Sequence, residues 1–211
     1  MITIYSATAC PFAQRTRALL NRMNEPLDLR EVDLDARDPE LLEMSPTGKV
    51  PFLVDGNVRL FESAVINDYL AEKLGFDQAY SADVALRAEQ RLLMRRWDDV
   101  VAPAFYRSMR AGGQIEEGAK ANLRKELAFI ARIVEHLDHD VHNLAGLHVA
   151  THWARMAWVP DLTELPALIE ELPALRAWLD KAVALPEIQQ TLPEPDAVRD
   201  RYRSRYAAAS N

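Results

Sequence analysis

The sequence predicts an α/β domain over residues 1–75, a linker over 76–80 and an all-α helical domain over 81–211. Two patterns carry that division. In the first part, apolar residues switch between short β-type runs and helical spacings in the order β-α-β-α-β-β, whereas beyond residue 80 only helical spacings recur. The single cysteine, Cys10, stands between the first β-type run and the first helical one.

With 211 residues, the chain is long enough for one large domain or two small ones, and 49% apolar against 27% charged residues is a balance that buries a core. The formal net charge of −7 argues against a nucleic-acid partner, which needs a clustered basic face. One cysteine rules out an internal disulfide framework and suits a reducing compartment. The sequence shows neither a secretory leader pattern nor an apolar run of about 18 residues, so the expectation is a cytoplasmic protein without a membrane span.

The elements follow in order. Met1-Ile2-Thr3-Ile4-Tyr5 reads as a strand, rich in β-branched and aromatic residues and closed by the turn-prone Ser6-Ala7-Thr8. Ala18, Leu19, Leu20 and Met23 recur at helical spacing, and Pro11 suits the first helical position, where a missing N–H costs nothing. Leu27 to Val32 alternates as a second strand, Asp33 to Asp38 is a polar turn, and Pro39 to Met44 is a short helix. Pro46 and Gly48 set a turn before the strand Phe52-Leu53-Val54, whose first residue is Pro51. Asp55-Gly56-Asn57 signals a hairpin with Val58-Arg59-Leu60 returning. Phe61-Glu62-Ser63 opens a helix through Ile66 and Leu70 to Leu74, ended by Gly75.

Cys10 thus precedes a helix N-terminus, where free N–H groups and a partial positive charge favour thiolate over thiol. A lone intracellular cysteine is otherwise most often a small buried hydrophobe. Strand, turn, Cys-Pro and helix in that order favour the reactive assignment. They resemble the redox site of the thioredoxin and glutaredoxin fold, with Ala13 in place of a second thiol, so a disulfide at Cys10 needs an outside thiol to resolve it.

Three separated motifs resemble one family, the glutathione transferases. Cys10-Pro11-Phe12-Ala13-Gln14-Arg15 resembles the active-site start of its cysteine-type members, as in the omega and lambda classes. Ser45-Pro46-Thr47-Gly48-Lys49-Val50-Pro51-Phe52-Leu53 resembles the family's loop ending in a cis-proline, and Phe61-Glu62-Ser63 its signature for the glutamyl end of glutathione. The resemblance implies a thioredoxin-like first domain, glutathione as co-substrate and no metal. It implies Cys10 as the catalytic residue and Phe12, Lys49, Val50, Pro51, Glu62 and Ser63 as the glutathione-binding set. In that set a cis bond to Pro51 turns the Val50 backbone toward the cysteinyl part of the peptide. Glu62 takes the ammonium, Ser63 and its helix N-terminus the γ-glutamyl carboxylate, Lys49 lies near the glycyl carboxylate, and Phe12 packs beside the site. By residue chemistry alone, Glu62 and Ser63 are explained by helix capping, and Gln14 and Arg15 by solvation or a salt bridge.

In the second part, Ser81 caps a long helix from Ala82 to Met109 with a kink at Pro103. Its Trp97 and Phe105 read as core, and Tyr106 as core or a contact for a second substrate. Gly112-Gly113 ends it, and Glu117 to Leu137 is a second amphipathic helix. His136, His139 and His142 stand three apart, but residues six positions apart leave a helical face, so this segment reads as a helix end passing into loop. Counting back from Pro160, the family carries Ser or Thr and then Asp three residues later, a capping box that starts a core helix; His152 and Arg155 stand there in this chain, so either Thr151 caps one residue early or the helix begins differently. Leu172 to Leu179, followed by Pro186, resembles the family's later helix with its inward tryptophan, Trp178.

The expected activity is that of a glutathione-dependent thiol transferase or reductase, in which Cys10 takes a glutathionyl group and free glutathione regenerates the thiolate. The partners are glutathione and a small electrophile or mixed disulfide, and the resemblance implies a homodimer. Tyr5 and Ser6 leave conjugation through a hydroxyl open. A second reading is a non-catalytic binding protein on the same scaffold, as in the stringent starvation protein A family, an RNA polymerase partner. The stretch Arg87 to Arg110 resembles that family, while Cys10, Lys49, Glu62 and Ser63 favour the enzyme.

Overall fold

The computed structural model describes residues 2–26, 28–36 and 38–207. Met1 and Leu27 of the two predicted strands, Arg37 of the predicted turn and residues 208–211 of the Ala-rich end lie outside the described residues. The chain forms two compact units, Met1–Ala79 with Leu185–Leu192, and Tyr80–Ala184 with Pro193–Asn211.

The first unit runs β1 (Thr3–Ser6), α1 (Pro11–Met23), β2 (Asp28–Glu31), α2 (Pro39–Met44), β3 (Phe52–Asp55), β4 (Val58–Leu60) and α3 (Ser63–Leu74). The sheet order is β2-β1-β3-β4. β1 and β2 are parallel because α1 carries the chain back between them, while the Asp55-Gly56-Asn57-Val58 hairpin makes β3 and β4 antiparallel. β1 meets β3 antiparallel with Ile4 opposite Leu53 and Tyr5 opposite Phe52. Strand alternation puts the first pair on one face and the second on the other, and no member of either pair is more than 3% exposed. Tyr5, Ala7, Ala13, Val32, Leu41, Val50 and Phe52 form one apolar cluster, against which Cys10, Met44 and Val54 pack partly buried. Burying a side chain of the size of Phe52 contributes about 1.5–3 kcal/mol.

Local chemistry sets the ends of these helices. Pro11 takes the first position of α1, and Asn24 closes that helix in the left-handed region at φ 52°. The Asp38 carboxylate caps α2, accepting from Leu41 N at 2.9 Å. α3 begins at Ser63 and not at Phe61, because Glu62 sits at φ 70°, ψ 113°, outside the helical region.

The second unit contains α4 (Val84–Arg96), a π-helical turn (Trp97–Val101), α5 (Ala102–Arg110), α6 (Glu117–His136), α7 (Leu144–Trp158), α8 (Leu165–Glu170) and α9 (Pro173–Val183). α10 (Pro186–Gln189) belongs to the first unit, and α11 (Pro195–Ala207) to the second. Two expectations are corrected here. The cap of α4 is Asp83 and not Ser81: its carboxylate accepts from Ala85 N and Leu86 N at 2.8 and 3.0 Å, while Ser81 Oγ accepts from Asp83 N. The long helix, Val84 to Arg110, changes to a π turn just ahead of Pro103: Pro103 has no N–H to give, and Ala102 N–H reaches back five residues to Trp97 O. Of the two readings of α7, the cap at Thr151 is corrected and the different start holds. Asn143 caps α7, accepting from Gly146 N at 3.1 Å, and His152 and Arg155 are fully buried in its interior. Gly146 replaces the acid of a capping box because a Cβ there would overlap the Val141 carbonyl oxygen. Trp97 and Phe105 are fully buried core, and Trp178 turns inward to donate from Nε1 to Asp140 O at 2.9 Å.

Candidate functional site

Cys10 is the N-cap of α1, with extended backbone (φ −83°, ψ 118°) and no side-chain capping bond. Its Sγ lies 3.7 Å from the carbonyl oxygen of Val50, which precedes Pro51 through a cis peptide bond. The sulfur is neither sealed in the core nor fully open: it packs at the edge of the apolar cluster and stays partly exposed.

Beside it lies a cleft of about 140 Å³ lined by Phe12, Thr47, Lys49, Val50, Pro51, Phe61, Glu62 and Ser63. All eight stand in the three motifs singled out by the sequence, on α1, the α2–β3 loop and the start of α3, and six of them are the residues the resemblance assigns to glutathione. Thr47 and Phe61 are additional. Thr47 Oγ1 accepts from Lys49 N at 3.3 Å, ordering the turn before the cis bond. Gly48 belongs in that turn at φ 61°. Lys49 and Glu62 are exposed, one positive and one negative rim of the cleft, and Ser63 is 5% exposed at the first turn of α3.

Two readings made by residue chemistry alone, side-chain capping by Glu62 and solvation of Gln14 and Arg15, are corrected. Glu62 makes no side-chain capping bond. Arg15 and Gln14 are not solvated; both are fully buried. Gln14 Nε2 donates to Ile188 O at 3.4 Å and Thr191 Oγ1 at 3.2 Å, tying α1 to the Leu185–Leu192 segment. Arg15 Nη1 donates to Ser63 Oγ at 3.0 Å, and its guanidinium lies 4.8 Å from the Phe12 ring centre. A buried cation therefore stands behind two cleft residues. The readable signal was position: Arg15 precedes Ala18 and Leu19 by three and four residues, on the apolar stripe of α1.

The hydroxyls considered as alternatives to the sulfur are engaged elsewhere. Tyr5 OH donates to Glu40 Oε1 at 2.8 Å, and burial, followed by that hydrogen bond, raises its pKa above the ordinary phenol value, so it stays protonated. Ser6 Oγ accepts from Arg17 Nη1 at 2.7 Å. In the second unit His136 Nδ1 lies 3.1 Å from Glu89 Oε1, and Tyr106 stands edge-on to His152. No helix among the described residues is long and apolar enough to cross a membrane.

Residues 4–76 match the family model for the glutathione S-transferase N-terminal domain. The whole chain superposes on glutathione transferase Omega 1C from Trametes versicolor with a TM-score of 0.80 at 19% identity, over 99% of this chain and 97% of that one. The chain has the glutathione transferase fold. A rice glutathione transferase, solved in complex with glutathione, superposes with a TM-score of 0.78 at 19% identity over 98% of both chains. Among curated relatives, glutathione S-transferase 3 of Zea mays is 26% identical over 208 residues, 90% of this chain and 93% of its own. Glutathione S-transferase omega-1 of Sus scrofa is 25% identical over 203 residues, 94% of this chain and 83% of its own. A stringent starvation protein A homolog of Coxiella burnetii is 30% identical over 138 residues, spanning 65% of this chain and 63% of that relative. The matched domain and the transferase relatives together support the glutathione transferase superfamily.

Proposed function

We propose that this chain is a glutathione-dependent thiol transferase or reductase of the cysteine type. The observation that carries the reading is the meeting of a partly exposed sulfur, 3.7 Å from the Val50 carbonyl oxygen, with the cleft of Lys49, Val50, Pro51, Glu62 and Ser63. The donation of the Tyr5 proton to Glu40 and the full burial of Ser6 support sulfur chemistry over a hydroxyl route.

In this reading Glu62 takes the ammonium of glutathione, Lys49 the glycyl carboxylate, and Ser63 with the α3 N-terminus the γ-glutamyl carboxylate. Because Ser63 Oγ accepts from Arg15, its own proton is left to donate outward to that carboxylate. The Cys10 thiolate attacks the glutathionyl sulfur of a mixed disulfide GS–SR, forming Cys10–S–SG and releasing RS⁻, which takes a proton from water. A second glutathione thiolate then attacks Cys10–S–SG, releasing GSSG and restoring the Cys10 thiolate. The sum is RS–SG plus GSH giving RSH plus GSSG. The same reading takes the protein as a cytoplasmic homodimer.

The stringent starvation protein A relative supports a second reading, a binding protein on the same fold. Turnover of a glutathione mixed disulfide that disappears in Cys10→Ser supports the enzyme. Absence of turnover in the wild type, together with co-purification of RNA polymerase, supports the binding protein.

A further inference from the structure

Polar contacts do little to hold the Cys10 side chain: among the described residues it makes no capping bond, its sulfur has one long contact, to Val50 O at 3.7 Å, and its packing against the apolar cluster is partial. The sulfur's position therefore follows from the backbone of the loop between β1 and α1. There Cys10 N–H donates to Ala7 O at 3.0 Å and closes the turn. Arg17 lies seven residues beyond Cys10, two helical turns, on the same face of α1, and helical side chains lean toward the N-terminus. Its guanidinium reaches back over the loop. Nη1 donates to Ser6 Oγ at 2.7 Å and Ala7 O at 2.8 Å, and Nη2 to Thr8 O at 3.2 Å. Ala7 O thus receives both the Arg17 cation and the Cys10 N–H. From the other side Glu31 Oε1 accepts from Thr8 N at 2.5 Å.

We propose that Arg17 is a positioning residue for Cys10: by gripping three consecutive residues it sets where the sulfur stands against the cleft, without contacting glutathione. The assignment rests on the reading of Cys10 as the nucleophile. Arg17 is absent from the cleft lining, so its effect belongs to the reacting atom and not to binding. A planar fork with several donors suits three acceptors at different angles; the compact ammonium of lysine carries the charge without the fork.

The test compares Arg17→Met and Arg17→Lys with Arg22→Met, a control on the same helix whose guanidinium pairs with Glu187 at 3.1 Å. The substrate is the mixed disulfide of glutathione and 2-mercaptoethanol. A misplaced nucleophile costs about 10–100-fold in kcat, so Arg17→Met falls by that factor with KM within about twofold, and Arg17→Lys recovers only part of the loss. Arg22→Met keeps kcat whatever it loses in Tm. Unchanged kcat in folded Arg17→Met, a loss confined to KM, or full recovery in Arg17→Lys overturns the proposal. If Arg17→Met does not fold, Ser6→Ala carries the test: removing one acceptor lowers kcat by about threefold, and an unchanged kcat overturns it. A wild type that shows neither turnover nor a glutathione adduct at Cys10 overturns the reading beneath the proposal, and the proposal with it. That outcome differs visibly from active wild type with active variants.

Discussion

Glu62 allows its backbone and its carboxylate to be tested separately. At φ 70°, ψ 113° a residue with a side chain costs on the order of 1–3 kcal/mol. The side chain is exposed and makes no capping bond, and the bond from Ile66 N to Glu62 O at 3.0 Å is a backbone one that survives any substitution. Glu62→Ala removes the carboxylate and keeps the strain; Glu62→Gly removes both. Against the relief stands about 0.5–1 kcal/mol for the greater freedom of glycine in the unfolded chain. At the middle of these ranges Glu62→Gly is more stable than Glu62→Ala by about 1 kcal/mol, or roughly 2–4 °C in Tm for a chain of this size. Both variants lose a charge-assisted hydrogen bond to the glutathione ammonium, about 1.5–3 kcal/mol, and bind glutathione roughly 10–150-fold more weakly. Scanning calorimetry reads the first effect, and isothermal titration with glutathione the second. A Glu62→Gly protein no more stable than Glu62→Ala refutes the strain; wild-type affinity in either variant removes Glu62 from the ammonium site.

Gly146→Ala places a methyl group into the Val141 carbonyl at the buried start of α7, where the obstacle is backbone and cannot swing aside. The expected loss is about 3 kcal/mol, roughly 6–12 °C in Tm, and a change under about 1 °C contradicts the packing. Acid should destabilise the fold through carboxylates held below their ordinary range: Asp55 by the hydrogen bond from Lys73 and then Tyr69, Asp161 by Arg203, Glu164 by Lys120 and Glu171 by Arg124. The unfolded chain takes up these protons first, so their contribution is present above the ordinary carboxylate values and lost as pH falls through the lower folded ones. Urea midpoints should drop from pH 5 to pH 3, and less steeply in high salt; a flat or rising midpoint contradicts this.

Signals that act within a few residues were legible in the sequence. Pro11 after Cys10, Gly75 after Leu74 and the Asp55-Gly56 hairpin each act on their own backbone, and each stands where its local chemistry requires. The three motifs were readable as a set, and the sheet gathers Phe12, Lys49, Val50, Pro51, Glu62 and Ser63 into one cleft. What escaped depends on partners far along the chain. Arg15 is charged and sits in a helix, but its place is decided by Ser63, 48 residues away. Gln14 is decided by Ile188 and Thr191. Counting back from Pro160 does not find the start of α7, because the cap and its glycine, Asn143 and Gly146, are set by the turn before them. The π turn arises where Pro103 withholds a donor inside an otherwise continuous apolar stripe, and periodicity alone does not register a missing donor.

The central claim is that the Cys10 sulfur reacts from beside a cleft that holds glutathione. Its most direct measurement is the rate at which oxidised glutathione adds one glutathionyl group to the protein at neutral pH, followed by mass spectrometry over a range of oxidised glutathione concentrations. The account predicts a rate that saturates, exceeds that of the urea-unfolded chain by about 100-fold and is reversed by excess reduced glutathione. A rate that rises linearly without saturation and does not exceed that of the unfolded chain contradicts it.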